Sequence, residues 1–157
     1  MKRIPSFSID HTRLQKGLYL SRQDDDVKTW DVRMKEPNHG DYISQGSLHT
    51  IEHLFATYAR SSQWQNGIIY IGPMGCRTGM YFLTRGLTDE EVLQCVVESY
   101  RFMSTYEGEI PGAKVEECGN YKEHDLAACN KDAADYLAVV EKLTPADMRY
   151  TYYLSDE

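Results

Sequence analysis

Two histidines four positions apart, His49 and His53, stand in the stretch GSLHTIEHLFATYAR (residues 46–60), with Glu52 immediately before the second. On a helix that turns 100° per residue, His49 and His53 lie about 40° apart and Glu52 about 60° to the other side of His49. All three can therefore face one cavity. Two imidazoles so placed can hold one cation, and the carboxylate can handle protons without being a ligand. The metallopeptidase motif H-x-x-E-H uses the same arithmetic. A lone helical histidine is usually surface or satisfied core, but a pair with a glutamate, on a helix whose other face is already apolar, points to a site.

A catalytic metal needs at least a third protein ligand and an open position. Cys118 is the candidate, because EECGNY (residues 116–121) breaks the chain before an expected helix, and a helix N-terminus favours a thiolate. Cys95 and Cys129 fall inside helical patterns and read as small buried hydrophobes. Cys76 differs: it sits in PMGCRTG (residues 73–79), a turn between two expected strands where a reactive side chain is easily presented. Arg77 beside it can favour the thiolate.

The elements that must position these residues follow from periodicity. TWDVRMKEP (residues 29–37) alternates as a strand ending at the proline, with Trp30, Val32 and Met34 on one side and Asp31, Arg33 and Lys35 on the other. Leu48, Ile51, Leu54, Phe55 and Tyr58 recur at helical spacing after Ser47, which can cap the first turn, and the helix should end near Ser61 or Ser62. GIIYIG (67–72) and MYFLT (80–84) read as two antiparallel strands flanking the cysteine turn. Thr88 and Glu91 form a capping box before a helix whose apolar side is Val92, Leu93, Val96, Val97, Tyr100 and Met103. A third helix is expected from about Tyr121, with Leu126, Ala133, Leu137 and Val140 in register, and LTPADM (143–148) starts a short last one. Strand pairs and separate helices together predict an α+β fold, with helices packed on an antiparallel sheet.

The 157 residues, 41% hydrophobic, suit one domain with one core, residues 1–157. Against 17 Lys and Arg stand 24 Asp and Glu, a net charge of −7 with no basic cluster, which excludes nucleic acid and anionic membrane as natural partners. No signal-peptide core and no apolar run of about 20 residues is present, so a cytoplasmic chain is expected. There the four widely spaced cysteines would be thiols, serving as core fillers, ligands or catalytic groups before disulfides.

Five motifs in order, SFSIDH (6–11), DVR (31–33), LHTIEH (48–53), GPMGCRTG (72–79) and IPGAKVEECGNY (110–121), resemble the S-ribosylhomocysteine lyase family, LuxS. They span most of the chain. The resemblance implies a LuxS/MPP-like metallohydrolase fold and a homodimer with active sites at the interface. It also implies one divalent metal per subunit, Fe²⁺ natively and Zn²⁺ or Co²⁺ in purified protein, at the positions of His49, His53 and Cys118. Glu52 and Cys76 match the family's general acid/base pair, while Ser6, His11 and Arg33 match residues lining the substrate pocket, some reaching it from the partner. The implied reaction splits S-ribosylhomocysteine into homocysteine and 4,5-dihydroxy-2,3-pentanedione, the autoinducer-2 precursor, by carbonyl migration and elimination. Tyr70 and Gly72 depart from the aspartate and serine that many members carry, and residues 12–26 fit only loosely.

Two other readings remain open at this level. A small H-x-x-E-H metallopeptidase would use a carboxylate as third ligand. A purely structural metal site would be closed by four protein ligands.

Overall fold

A computed structural model describes residues 1–155. Four strands, β1 (Gly17–Asp24), β2 (Val27–Arg33), β3 (Ile68–Pro73) and β4 (Gly79–Arg85), form one antiparallel sheet in the order β1-β2-β4-β3. Three helices, α1 (Gln45–Arg60), α2 (Asp89–Thr105) and α3 (Leu126–Val140), complete the α+β fold. Register sorts the side chains by face. Leu18, Val32 and Met80 align across three strands, as do Leu20, Trp30 and Phe82, and this face joins the apolar sides of the helices in one core. The buried Trp30 indole N–H is satisfied by Thr84 Oγ1 at 3.0 Å.

The opposite face carries the rows Tyr19–Asp31–Tyr81 and Gly17–Arg33–Gly79. Asp31 and Arg33 are nevertheless buried, because the stretches around residues 6–11 and 150–154 run across this face and meet in the bridge between Ile9 and Tyr153. The expected alternation of residues 29–35 is therefore present, but both sides are covered. The ladder itself ends at Arg33, short of Pro37.

Helix boundaries differ from expectation in instructive ways. Ser44, not Ser47, caps α1 by accepting the Ser47 N–H, while the Ser47 hydroxyl donates to Asp132 Oδ2 at 2.6 Å and ties α1 to α3. The Thr88/Glu91 capping box opens α2 as predicted. α3 begins at Leu126, capped by the Asp125 carboxylate, about five residues later than its apolar register suggested. The last expected helix is a single 3-10 turn, Pro145–Asp147. β1 had no counterpart among the predicted elements. No helix among the described residues is long and apolar enough to cross a membrane.

Candidate metal centre and the cysteine cavity

α1 buries Leu48, Ile51, Leu54 and Phe55 and turns His49, Glu52 and His53 toward the loop of residues 106–125. Each imidazole is fixed by that loop. His49 Nδ1 donates to the Glu123 carbonyl at 2.9 Å, and His53 Nδ1 donates to the Pro111 carbonyl at 2.7 Å. A carbonyl can only accept, so both Nδ1 atoms carry a proton, and in the neutral ring each Nε2 then presents its lone pair. Those lone pairs meet Cys118, whose Sγ lies 3.4 Å from His49 Nε2 and 4.0 Å from His53 Nε2. Ligands about 2.1 and 2.3 Å from a tetrahedral ion would be about 3.6 Å apart, so the donor set fits a divalent cation. Glu52 Oε1 stands 3.9 Å from His53 Nε2, in a cleft that also takes in Tyr70, Pro111 and Gly112.

The loop adds a residue that the helical motif did not reveal. The donor atoms of His49, His53, Cys118 and His124 all lie within 4.8 Å of one another. Thr50 Oγ1 donates to the Gly46 carbonyl at 2.9 Å and accepts from the Asp125 N–H at 3.0 Å, which leaves its second lone pair for His124 Nδ1 at 3.1 Å. His124 Nε2 is buried without a partner. Burial, with the imidazoles of His49 and His53 nearby, pushes His124 down to about 4, so it stays neutral through the physiological range. Its ring stacks on His49 at 3.9 Å with 20° between planes. A ligating nitrogen offers its lone pair in the ring plane, so an ion in the plane of His49 lies outside that of His124. His124 thus backs His49 rather than sharing its ion. The signal in the sequence was faint: one histidine six residues after Cys118, brought in only by its contact with Thr50.

Cys118 itself gains nothing from a helix N-terminus, which lies eight residues on at Leu126 and is already served by Asp125. Cys95 and Cys129 are fully buried, and burial pushes both thiols up to about 12, as suits core fillers. Among the described residues no carboxylate joins the His and Cys donors, which disfavours the metallopeptidase reading. The stacking of His124 on His49 likewise leaves three of the four clustered donors aimed at one point, unlike a closed structural centre.

The other predicted residues gather elsewhere. Ser6, His11, Arg33 and Cys76 line a cavity of about 370 Å³ on the far face of the sheet, together with Asp31, Thr78, Tyr81 and Tyr150. None of His49, Glu52, His53 or Cys118 lines it. Cys76 is exposed in the middle of the β3–β4 turn, while the neighbouring Arg77, at φ 60°, sends its guanidinium toward the Ile43 carbonyl and the Tyr42 ring. The cation near the sulfur is instead Arg33. Burial disfavours its charge, but the Asp31 carboxylate at 2.7 Å more than compensates and leaves the guanidinium raised above its ordinary value. Tyr150 donates to the same carboxylate at 2.5 Å, and burial together with Asp31 keeps its phenol protonated. His11 Nδ1 donates to the Ile9 carbonyl at 2.8 Å, leaving its Nε2 lone pair free.

An antiparallel α+β chain with a two-histidine, one-cysteine donor set and a separate thiol-bearing cavity has the makings of a metal-binding enzyme. Comparison with known proteins makes this specific. The profile of the family described as S-Ribosylhomocysteinase (LuxS) matches residues 4–146. The chain is 48% identical to the S-ribosylhomocysteine lyase of Phocaeicola vulgatus, covering 96% of this chain and 98% of the relative. It is 43% identical to that of Porphyromonas gingivalis and 39% to that of Borreliella burgdorferi, each comparison covering 96% of this chain and 99% of the relative. The chain belongs to the LuxS family.

Proposed function

We propose that this chain is a metal-dependent carbon–sulfur lyase that cleaves S-ribosylhomocysteine to homocysteine and 4,5-dihydroxy-2,3-pentanedione, the autoinducer-2 precursor. The observation that carries this reading is the convergence of two proton-free imidazole nitrogens on Cys118 beside the Glu52 carboxylate, in a LuxS family member. His49, His53 and Cys118 would hold one divalent ion, Fe²⁺ in the cell, replaceable by Zn²⁺ or Co²⁺. When bound, the ion supplies Lewis-acid polarisation of the sugar carbonyl and stabilises the negative charge that develops on neighbouring oxygens.

In this reading Cys76, as thiolate, removes the proton from C2 of the open sugar and returns it at C1, which moves the carbonyl from C1 to C2. The same exchange between C3 and C2 moves it to C3. Glu52 carries the matching proton between hydroxyl and carbonyl oxygens, so each shift is an isomerisation with no net change in atoms or electrons. Once the ketone is at C3, loss of the C4 proton breaks the C5–S bond and expels homocysteine thiolate. The enol left behind takes a proton at C5 and becomes the pentanedione. Ser6, His11 and Arg33 bind the polar groups of the substrate.

Glu52 and Cys76 must then meet in one site, although they line different cavities of this chain. A homodimer resolves this, with the Cys76 cavity of one subunit closed by the metal cluster of its partner. The rest of the family's architecture, of the LuxS/MPP-like metallohydrolase type, belongs to the same proposal, as does a reducing cytoplasmic setting, which suits four free cysteines.

The test is thiol release from S-ribosylhomocysteine by anaerobically purified, metal-loaded protein. Wild type should liberate homocysteine, whereas Glu52→Gln and Cys76→Ala should fall by about 10²- to 10⁴-fold while retaining the metal. No thiol from fully loaded wild type would overturn the proposal, and full turnover by Cys76→Ala would overturn the role of that residue.

A further inference from the structure

Thr78, one residue before β4, is buried to 1% exposure, yet its hydroxyl stands between Arg33 and Cys76 in the lining of the cysteine cavity. Arg33 Nη1 lies 2.8 Å from Thr78 Oγ1, and Cys76 Sγ lies 3.1 Å from the same oxygen. A guanidinium can only donate, so Thr78 accepts there, and its single proton is free to point at sulfur. If Cys76 is a thiol, its sulfur offers the Thr78 proton only a weak acceptor, and its own S–H can turn to the second lone pair of the oxygen or to solvent. If Cys76 is a thiolate, sulfur has no proton to give, so Arg33 donates to Thr78 and Thr78 donates to sulfur. Bonds to ionised acceptors are the stronger ones, so a hydroxyl aimed at sulfur favours the thiolate.

We propose that Thr78 is a positioning residue that holds Cys76 as an oriented thiolate, passing the polarity of the Asp31–Arg33 pair to the sulfur. Asp31 and Tyr150 keep Arg33 in place, with the Asp31 carboxylate accepting from both. Because Arg33 is already neutralised by Asp31, the sulfur is served by an aimed hydroxyl more than by a bare cation. The other titratable or charged groups bordering the cavity are Tyr81 on β4, His11 from the N-terminal stretch and Tyr42 before α1, and Arg77 follows Cys76 in the turn. None of them is hydrogen-bonded to Cys76.

The role rests on Cys76 acting as a proton-carrying thiolate, but its test reads the sulfur directly and not turnover, so the two can fail separately. Zinc-loaded protein is treated with iodoacetamide from pH 5 to 10, and the rate at Cys76 is followed by peptide mass mapping. The thiols of Cys95 and Cys129, pushed up to about 12 by burial, serve as slow internal references. Thr78→Val should react about tenfold more slowly than wild type at pH 7, with the deficit closing at high pH where the sulfur is ionised in both. Thr78→Ser, which keeps the hydroxyl, should track the wild type. Equal rates in wild type and folded Thr78→Val, or loss in Thr78→Ser as large as in Thr78→Val, would overturn the proposal. Wild type supplies a check that needs no variant: the Thr78 hydroxyl proton should exchange slowly and its NMR resonance should move as Cys76 titrates. A resonance that stays fixed would overturn it.

Discussion

At the residue scale, the candidate metal cluster is organised by what its donor residues bond behind them. The backbone carbonyls of Glu123 and Pro111 fix the tautomers of His49 and His53, and His124 backs His49 by stacking while held on Thr50. Such partners orient ligating rings and raise their basicity. His124→Ala should therefore weaken zinc retention by about 10- to 100-fold in competition with a chromophoric chelator, while leaving the donor atoms in place. Unchanged affinity would show the stack to be incidental. The convergence of His49 and His53 was legible in the sequence because their spacing is set by one helix, and Cys118 was a candidate beside them because it interrupts the chain where a third donor was sought. His124 was not, since its place depends on a contact with Thr50 across 74 residues of sequence.

Among the elements, those with internal periodicity were legible: α1, α2, the β3–β4 pair and the core side of β2. β1 was missed because only Gly17 and Leu18 are buried and its second half, Arg22 to Asp24, is exposed, so alternation fades along it. The turn at Asp25, with φ 53°, was its one available signal. The late start of α3 was hidden because residues 121–125 continue the polar pattern but are spent on turns that anchor the metal-site histidines. Close strand pairing also sets a limit that a sequence pattern cannot show. Gly79 pairs with Arg33, and a Cβ there would run into the Val32 carbonyl. Gly79→Ala should force β4 from β2 beside Thr78, lowering the denaturation midpoint and slowing turnover together. A variant with wild-type stability and rate would show that the strands part freely here.

For the whole molecule, the sheet separates the two halves of the proposed site. Helices and metal cluster occupy one side, while the other holds the cavity of Cys76, Ser6, His11 and Arg33. This arrangement makes a mixed-dimer experiment decisive. Cys76→Ala and Glu52→Gln chains, each inactive alone, should regain thiol release when unfolded and refolded together. If each site draws Cys76 from one subunit and Glu52 from the other, half the dimers are hybrids with one intact site of two, giving roughly a quarter of wild-type activity. No recovery in demonstrated hybrids would place both residues in the same subunit's site. The exposed Phe7 and Tyr42 at the cavity rim, and Tyr70 and Val115 near the cluster, are the surfaces such a pairing would cover.

Residues 106–125 form a long connection between α2 and α3 with no helix or strand of its own. Its Pro111 and Glu123 carbonyls hold the two histidines, and its Cys118 supplies the third donor, so an ion would rivet the segment to α1 at several points. The segment is thereby a built-in gauge of occupancy. Stripping the ion should speed amide deuterium uptake across residues 110–124 well before the core of the sheet responds, and reloading should restore protection. Uptake along this one stretch would report the fraction of loaded molecules in a preparation without any substrate being added.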